Sequence, residues 1–392
     1  MINPQSLALG VKRNTIMELA DYGRARAAIV GRENIFDFSI GNPSVPAPPE
    51  VNATILEVLQ TMDPLAVHGY TSTLGDSRTR AIIAEDLNAR FGCNATADEL
   101  LLCCGAAPEV SAACKALTVP GSEIFVFAPY FPEYKPYIQQ AGATFRVVPP
   151  SIPDFQLNLE ALETMLSPNT SAVIVNNPNN PVGSVYTPET IEKLAALLER
   201  KSEEFGHRIY IIADEPYREL AYDGAVVPFI PNIYPHTVVC YSYSKSLSLP
   251  GERMGYIYVP SKAQDGRDLY HAIIGAARAM GHVCAPSLMQ LTLARCAHIL
   301  PDLTVYDRNR RTLVEALTAY GYEMAKPEGA FYIFLKAPGG DDQAFSKRAM
   351  EKDLLIMPGS DFGGPGYLRL CYCVDYDTVV RSLPIFKELI ET

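Results

Sequence analysis

The chain has 392 residues, 48% hydrophobic and 20% charged, enough for two domains or one large domain with a satellite. Its 33 basic and 44 acidic residues give a net charge of −11 with no long basic run, which argues against a nucleic-acid or anionic-membrane surface. No stretch approaches the ~20 apolar residues of a spanning helix, so the expectation is a soluble protein without membrane contact.

In chain order, "MINPQSLALGVKRNTIMELA" lacks the apolar core and small-residue cleavage site of a signal peptide. The nine cysteines (93, 103, 104, 114, 240, 284, 296, 371 and 373) show no CxxC spacing. They read as reduced core residues of a cytoplasmic protein, with no metal site expected. The Pro-rich "GNPSVPAPPEV" (41–51) is expected to be an extended link between two parts. The middle of the chain alternates β-branched runs with helical stretches. That pattern predicts an α/β fold with a mostly parallel central sheet flanked by helices. The predicted strands are "ELLLCC", "EIFVFA", "TFRVV", "SAVIV", "RIYIIA", "TVVCYS" and "MGYIYV". Between two of them, "TPETIEKLAALLERKSEEFG" predicts a helix that Thr187 caps, Pro188 opens and Gly206 ends. A long helical pattern over 286–320 is expected to lead from a large domain (46–285) to a smaller α+β domain built from both chain ends (1–45 and 286–392).

In an open parallel sheet, ligands gather at the carboxyl ends of strands. The polar oddities of this sequence fall at those places. "LLLCC" runs into Gly105, Ala106 and Ala107, a small-residue turn opening a helix and suited to an anion. "EIFVFA" is followed by Pro129, Tyr130 and Phe131. "SAVIV" ends in "NNPNNPVG" (176–183), whose two Asn-Pro pairs invite a cis bond. "RIYIIA" ends at Asp214, a carboxylate that needs a partner beside so apolar a run, with Tyr217 one turn on. "TVVCYS" delivers Ser244 and Lys245. A buried ammonium is costly unless it is paired or chemically used. Each feature alone is compatible with a packing role; five at successive strand ends are not readily explained that way.

The ensemble resembles the class I/II aminotransferases, in the aspartate aminotransferase superfamily of fold-type I pyridoxal-phosphate enzymes. The likeness runs from "FSIGNPSVP" to "YLRLCY", with NPNNPxG, DExY and SxSKxxxxxGxRxGY in order. The resemblance implies pyridoxal 5′-phosphate as cofactor and an α-amino acid and a 2-oxo acid as substrates. By it, Lys245 holds the cofactor, Asp214 pairs with the ring nitrogen, and Tyr217 and Asn180 bond the ring's 3′ oxygen. Phe131 stacks on the ring, while Arg253, Ser242, Ser244 and the backbone of Ala106 and Ala107 take the phosphate. Arg369, with Gly41 and Asn180, takes the substrate α-carboxylate. Tyr70, in "HGYTSTLGD", matches a tyrosine donated to the neighbouring subunit's phosphate, which implies a homodimer with shared sites.

Side-chain preference stays open at this point. Ala107 stands where many aspartate-preferring members carry a lysine. Arg278 and His282 lie near the segment that supplies a side-chain arginine across the dimer in other relatives, and an apolar site for aromatic or aliphatic amino acids is the other reading. The same scaffold hosts C–S lyases, cyclopropane-forming synthases and decarboxylases. A non-catalytic regulator would need a DNA-binding domain for which residues 1–15 leave no room.

Overall fold

The computed structural model describes residues 1–11 and 15–391. Its strands in chain order are β1 (Phe36–Asp37), β2 (Leu100–Cys103), β3 (Glu123–Phe127), β4 (Thr144–Val148), β5 (Thr170–Asn176), β6 (Tyr210–Asp214), β7 (Thr237–Ser242), β8 (Gly255–Tyr258), β9 (Tyr332–Lys336), β10 (Leu354–Leu355), β11 (Met357–Pro358) and β12 (Tyr367–Cys371). Strands β2 to β8 coincide with the seven predicted runs and form one sheet in the order β2-β8-β7-β6-β5-β3-β4. Pairing is parallel throughout except at β8, which runs antiparallel to both its neighbours.

Both faces of this sheet are covered, which is why its strands read as continuous apolar runs. Successive residues point to opposite faces. Val173, Ile211 and Val239 pack in one buried cluster, while Ala172, Ile212 and Val238 pack in another. The helix predicted over 187–206 is Pro188–Phe205. Thr187 Oγ1 accepts from the Thr190 amide, and Gly206 closes the helix at φ 76°.

The outer segments build a three-stranded antiparallel sheet, β11-β12-β9, and a two-stranded parallel pair, β1-β10. Helices Thr304–Ala319 and Tyr376–Glu391 pack together against them, with Leu313, Phe331, Leu335 and Phe386 in one core. Tyr217 and Leu220, just beyond β6, join that same core and so tie the carboxyl end of the large sheet's central strand to the smaller unit.

Two expectations change. The segment over 286–320 is not one helix but two, Ser287–Cys296 and Thr304–Ala319, parted by residues that include Pro301. The first of these packs on helices Pro49–Thr61 and Ser77–Phe91, and Met289 and Leu293 lie in a core of the large sheet. The expected boundary at 286 therefore falls ahead of a helix that packs with the large unit. The Pro-rich link is irregular only to Pro48. Pro49 opens a helix, because its missing N–H costs nothing at the first helical position. No helix among the described residues is long and apolar enough to cross a membrane.

Candidate active site

The carboxyl ends of β5, β6 and β7 open on a cavity of about 280 Å³. Gly41, Ala106, Ala107, Phe131, Asn180, Asp214, Tyr217, Ser242, Ser244, Lys245, Arg253 and Arg369 all line it. Tyr70 does not: it is fully exposed, at 101%. Arg278 and His282 are also exposed and do not line this cavity.

Lys245 is carried by a single turn, Tyr243–Ser246, that follows β7 directly, with Ser242 Oγ accepting the Ser244 amide at 3.2 Å. Its Nζ donates to the Gly41 carbonyl at 2.7 Å and sits 5.4 Å from the centre of the Phe331 ring. Burial pushes the amine below its ordinary pKa, and the like charges of Arg253 and Arg369 add to that. Gly41 is closely enclosed on its other side, since a Cβ there would lie 2.5 Å from the Tyr332 hydroxyl and 3.1 Å from Phe331.

Asp214 ends β6 at 6% exposure. Its Oδ2 accepts a short hydrogen bond from the Tyr134 hydroxyl, while Oδ1 is buried and has no hydrogen-bond partner. Burial raises its carboxyl to about 7, against the pull of the Tyr134 hydrogen bond. An orphaned acceptor of this kind costs free energy until a donor arrives. Asn176, beside it at the end of β5, donates to the Asp214 carbonyl at 2.9 Å and accepts the Asn180 amide at 2.7 Å. That clamp orders the double Asn-Pro turn, in which both X-Pro bonds are cis.

At the other end, Gly105 (φ 87°) leads β2 into helix Ala106–Ala116 and leaves the first amides of that helix facing the cavity. Arg253 lies over this turn. Its Nη2 donates to the Cys104 carbonyl at 3.2 Å, and a Cβ on Gly105 would come within 2.9 Å of that nitrogen. Arg253 itself holds a left-handed backbone (φ 52°), uncommon for a residue other than glycine and a sign of a fixed site. The Ser242 and Ser244 hydroxyls share a 2.7 Å hydrogen bond next to it. Amides, hydroxyls and guanidinium together form a cradle for an anion.

Arg369 projects from β12 at 3% exposure. Nη1 donates to Asn180 Oδ1 at 3.2 Å, Nη2 to the Ser39 carbonyl at 2.5 Å, and Nε is buried without a partner. The guanidinium also faces the rings of Tyr332 and Phe362 at 5.0 and 4.5 Å. Tyr332 shares a 2.6 Å hydrogen bond with the Tyr217 hydroxyl, one donating and the other accepting, and burial pushes both phenols well up, so both remain neutral.

Sequence reasoning missed several lining residues, notably Tyr134, Tyr137, Asn176, Tyr332, Ser39, Ile16 and Ile40. Tyr134 lies three positions after Phe131, one turn on, and Asn176 heads the same Asn-rich motif; those spacings were the available signals. Tyr332 and Ile16 reach the cavity only through tertiary packing.

The family described as "Aminotransferase class I and II" matches residues 33–383. An aspartate aminotransferase from Thermotoga maritima is 29% identical over 377 residues, covering 94% of this chain and 95% of its own length. A probable N-acetyl-LL-diaminopimelate aminotransferase from Bacillus subtilis is 27% identical and covers 94% of this chain and 92% of its own. Among solved structures, an aminotransferase from Eubacterium rectale superposes with a TM-score of 0.97 at 50% identity, over 100% of this chain and 98% of that one. A match of this length, on a cavity where a lysine, a buried aspartate and a buried arginine converge, leads to one statement: the chain belongs to the class I and II aminotransferase family.

Proposed function

We propose that this aminotransferase moves an amino group between an α-amino acid and a 2-oxo acid with pyridoxal 5′-phosphate held in the Lys245 cavity. The observation that carries the reading is the buried, unpartnered Oδ1 of Asp214, sharing that cavity with an amine of lowered basicity and a buried arginine fork.

The donor set fits the cofactor at each end. The Ala106 and Ala107 amides, the Ser242 and Ser244 hydroxyls and Arg253 suit a phosphate dianion. Asp214 Oδ1 suits a protonated ring nitrogen, and Phe131 offers the ring a face. Tyr217 and Asn180 supply hydrogen bonds to the ring oxygen. When bound, the cofactor supplies an electron sink for the pair left at the substrate α-carbon.

The chain's own groups do the rest. Lys245, unprotonated in a larger fraction than an exposed lysine, would hold the cofactor through its amine, and once the substrate amine has taken its place there the freed Nζ would carry the α-proton. Arg369 fixes the substrate carboxylate, with Asn180 and the Gly41 backbone beside it. Ionised Asp214 keeps the opposite charge next to the sink. The Tyr70 hydroxyl serves the phosphate of a second copy, so the working unit is a cytoplasmic homodimer. The exposed apolar residues Leu7, Leu9 and Val11 of helix Pro4–Val11, which has no buried residue, support such a partner. The change from large to small domain follows Cys296 rather than residue 286, because helix Ser287–Cys296 packs with the large sheet's core.

Purified protein assayed with a panel of amino acids and 2-oxoglutarate or pyruvate tests this. Transamination predicts a 2-oxo acid formed from the donor in step with amination of the acceptor. Stoichiometric ammonia with no acceptor requirement would replace transamination by lyase chemistry.

A further inference from the structure

Glu215 follows Asp214 immediately and Arg218 lies four residues beyond it, yet neither lines the cavity. Both are buried, and Arg218 Nε donates to Glu215 Oε2 at 2.5 Å. Arg218 Nη1 donates to the Tyr256 hydroxyl at 2.9 Å, and its guanidinium lies 4.5 Å from the centre of the Tyr241 ring. Tyr241 in turn donates to Glu219 Oε2 at 2.9 Å and shares a 2.8 Å hydrogen bond with Ser246, the residue after Lys245. One connected network thus runs from the residue after Asp214 to the residue after Lys245.

The pair is not built for stability. Glu215 Oε1 and Arg218 Nη2 are buried without partners, and a buried ion pair rarely outperforms well-packed apolar side chains. Its location suggests another use. We propose that the Glu215–Arg218 pair is a positioning and charge-setting device for the site: Arg218 cancels the negative charge next to Asp214 and, through Tyr241 and Ser246, holds the Asp214 strand end and the Lys245 turn in one register. This rests on the assignment of Asp214 and Lys245 to the cofactor.

Of the other charged groups around the pair, Arg90 also lowers Glu215, but less than Arg218 does and against the opposing charge of Glu219. Helix Ser77–Phe91 brings Arg90 and Asp86, but Arg90 is committed to Glu219 at 2.8 Å and to Asp86 at 3.3 Å. Tyr241, Tyr243 and Tyr256 are buried phenols pushed well up, hence neutral. On the side of Asp214, Tyr134 and Tyr137 come from helix Tyr134–Ala141, Tyr217 from the turn beyond β6 and Cys240 from β7; burial raises all four, so they too stay neutral. Glu109, from helix Ala106–Ala116, is fully buried, its carboxyl raised first by burial and then by Asp214. Glu215 is itself raised by burial and lowered by Arg218, and its charge is one of the influences that raise Asp214.

The test is the pH at which the visible absorbance of the pyridoxal-phosphate-loaded protein changes. Losing a buried positive charge favours protonation nearby, so Arg218→Met should raise that midpoint by roughly half a pH unit or more. Glu215→Gln should lower it by a similar amount, and the double variant should return it towards the parent value. Arg218→Lys keeps the charge and should keep the midpoint even where melting temperature falls. A merely structural pair would change melting temperature without opposite shifts in the two single variants. Unmoved midpoints in Glu215→Gln and Arg218→Met, or a shifted one in Arg218→Lys, would overturn the inference. Where Arg218→Met does not fold, the Glu215→Gln and Arg218→Lys midpoints decide. A parent protein with no visible band would instead overturn the cofactor assignment itself.

Discussion

Asp214 is held well above its ordinary value of 3.8, at about 7, chiefly because burial penalises its charge. Its native form without cofactor therefore favours the proton. The contribution to folding is fully present below pH ~4 and is lost as pH rises towards 7, on the order of 4 kcal/mol in all. Asp214→Asn should flatten that pH dependence in the cofactor-free protein while reducing turnover of the loaded enzyme by ~10²-fold or more. Denaturant unfolding at several pH values reads the first effect and steady-state assay the second. Equal slopes with near-normal turnover would contradict the role. Residues such as Asp214 and Lys245 were legible in the sequence because each interrupts an apolar run at a strand end. Tyr134 and Arg218 were not, since a tyrosine near a helix start or an arginine in a turn is locally ordinary. Their meaning comes from the neighbours that the sheet order brings to them, Asp214 Oδ2 to Tyr134, and Tyr241 and Tyr256 to Arg218.

At the scale of elements, the seven strands were legible because a sheet buried on both faces demands unbroken apolar runs, punctuated by the turn residues that end them. The helix Pro188–Phe205 announced itself through its cap, its opening proline and its closing glycine. The break between helices Ser287–Cys296 and Thr304–Ala319 was hidden by apolar periodicity that continues across Pro301. Pairing order was hidden as well. Nothing local says that β8 inserts antiparallel between β2 and β7, although this brings Gly255 beside Cys103 and Ser242 and so sets the Arg253 turn against Gly105. The cradle is thus a product of topology acting on small residues that the sequence displays plainly.

For the whole molecule, the shared-site reading predicts complementation between subunits. Tyr70 is fully exposed on its own chain, and removing its hydroxyl should cost cofactor binding on the order of 1.5–3 kcal/mol. Tyr70→Ala and Lys245→Ala homodimers, each inactive, should regain part of their activity after subunit exchange, because a heterodimer holds one site free of both lesions. Verified heterodimers that stay inactive would return Tyr70 to its own subunit. The segregation of the outer segments' strands into their own small sheets, apart from the seven-stranded one, follows the change of pattern along the sequence. The assignment of helix Ser287–Cys296 was not legible there, because only its contacts with helices Pro49–Thr61 and Ser77–Phe91 reveal which core it joins. The central claim, that Lys245 holds pyridoxal phosphate in this cavity, is tested most directly by borohydride reduction of the yellow protein followed by peptide mapping. The account predicts the pyridoxyl group on Lys245 and its loss in Lys245→Ala; the group on another lysine, or no fixed group at all, would contradict it.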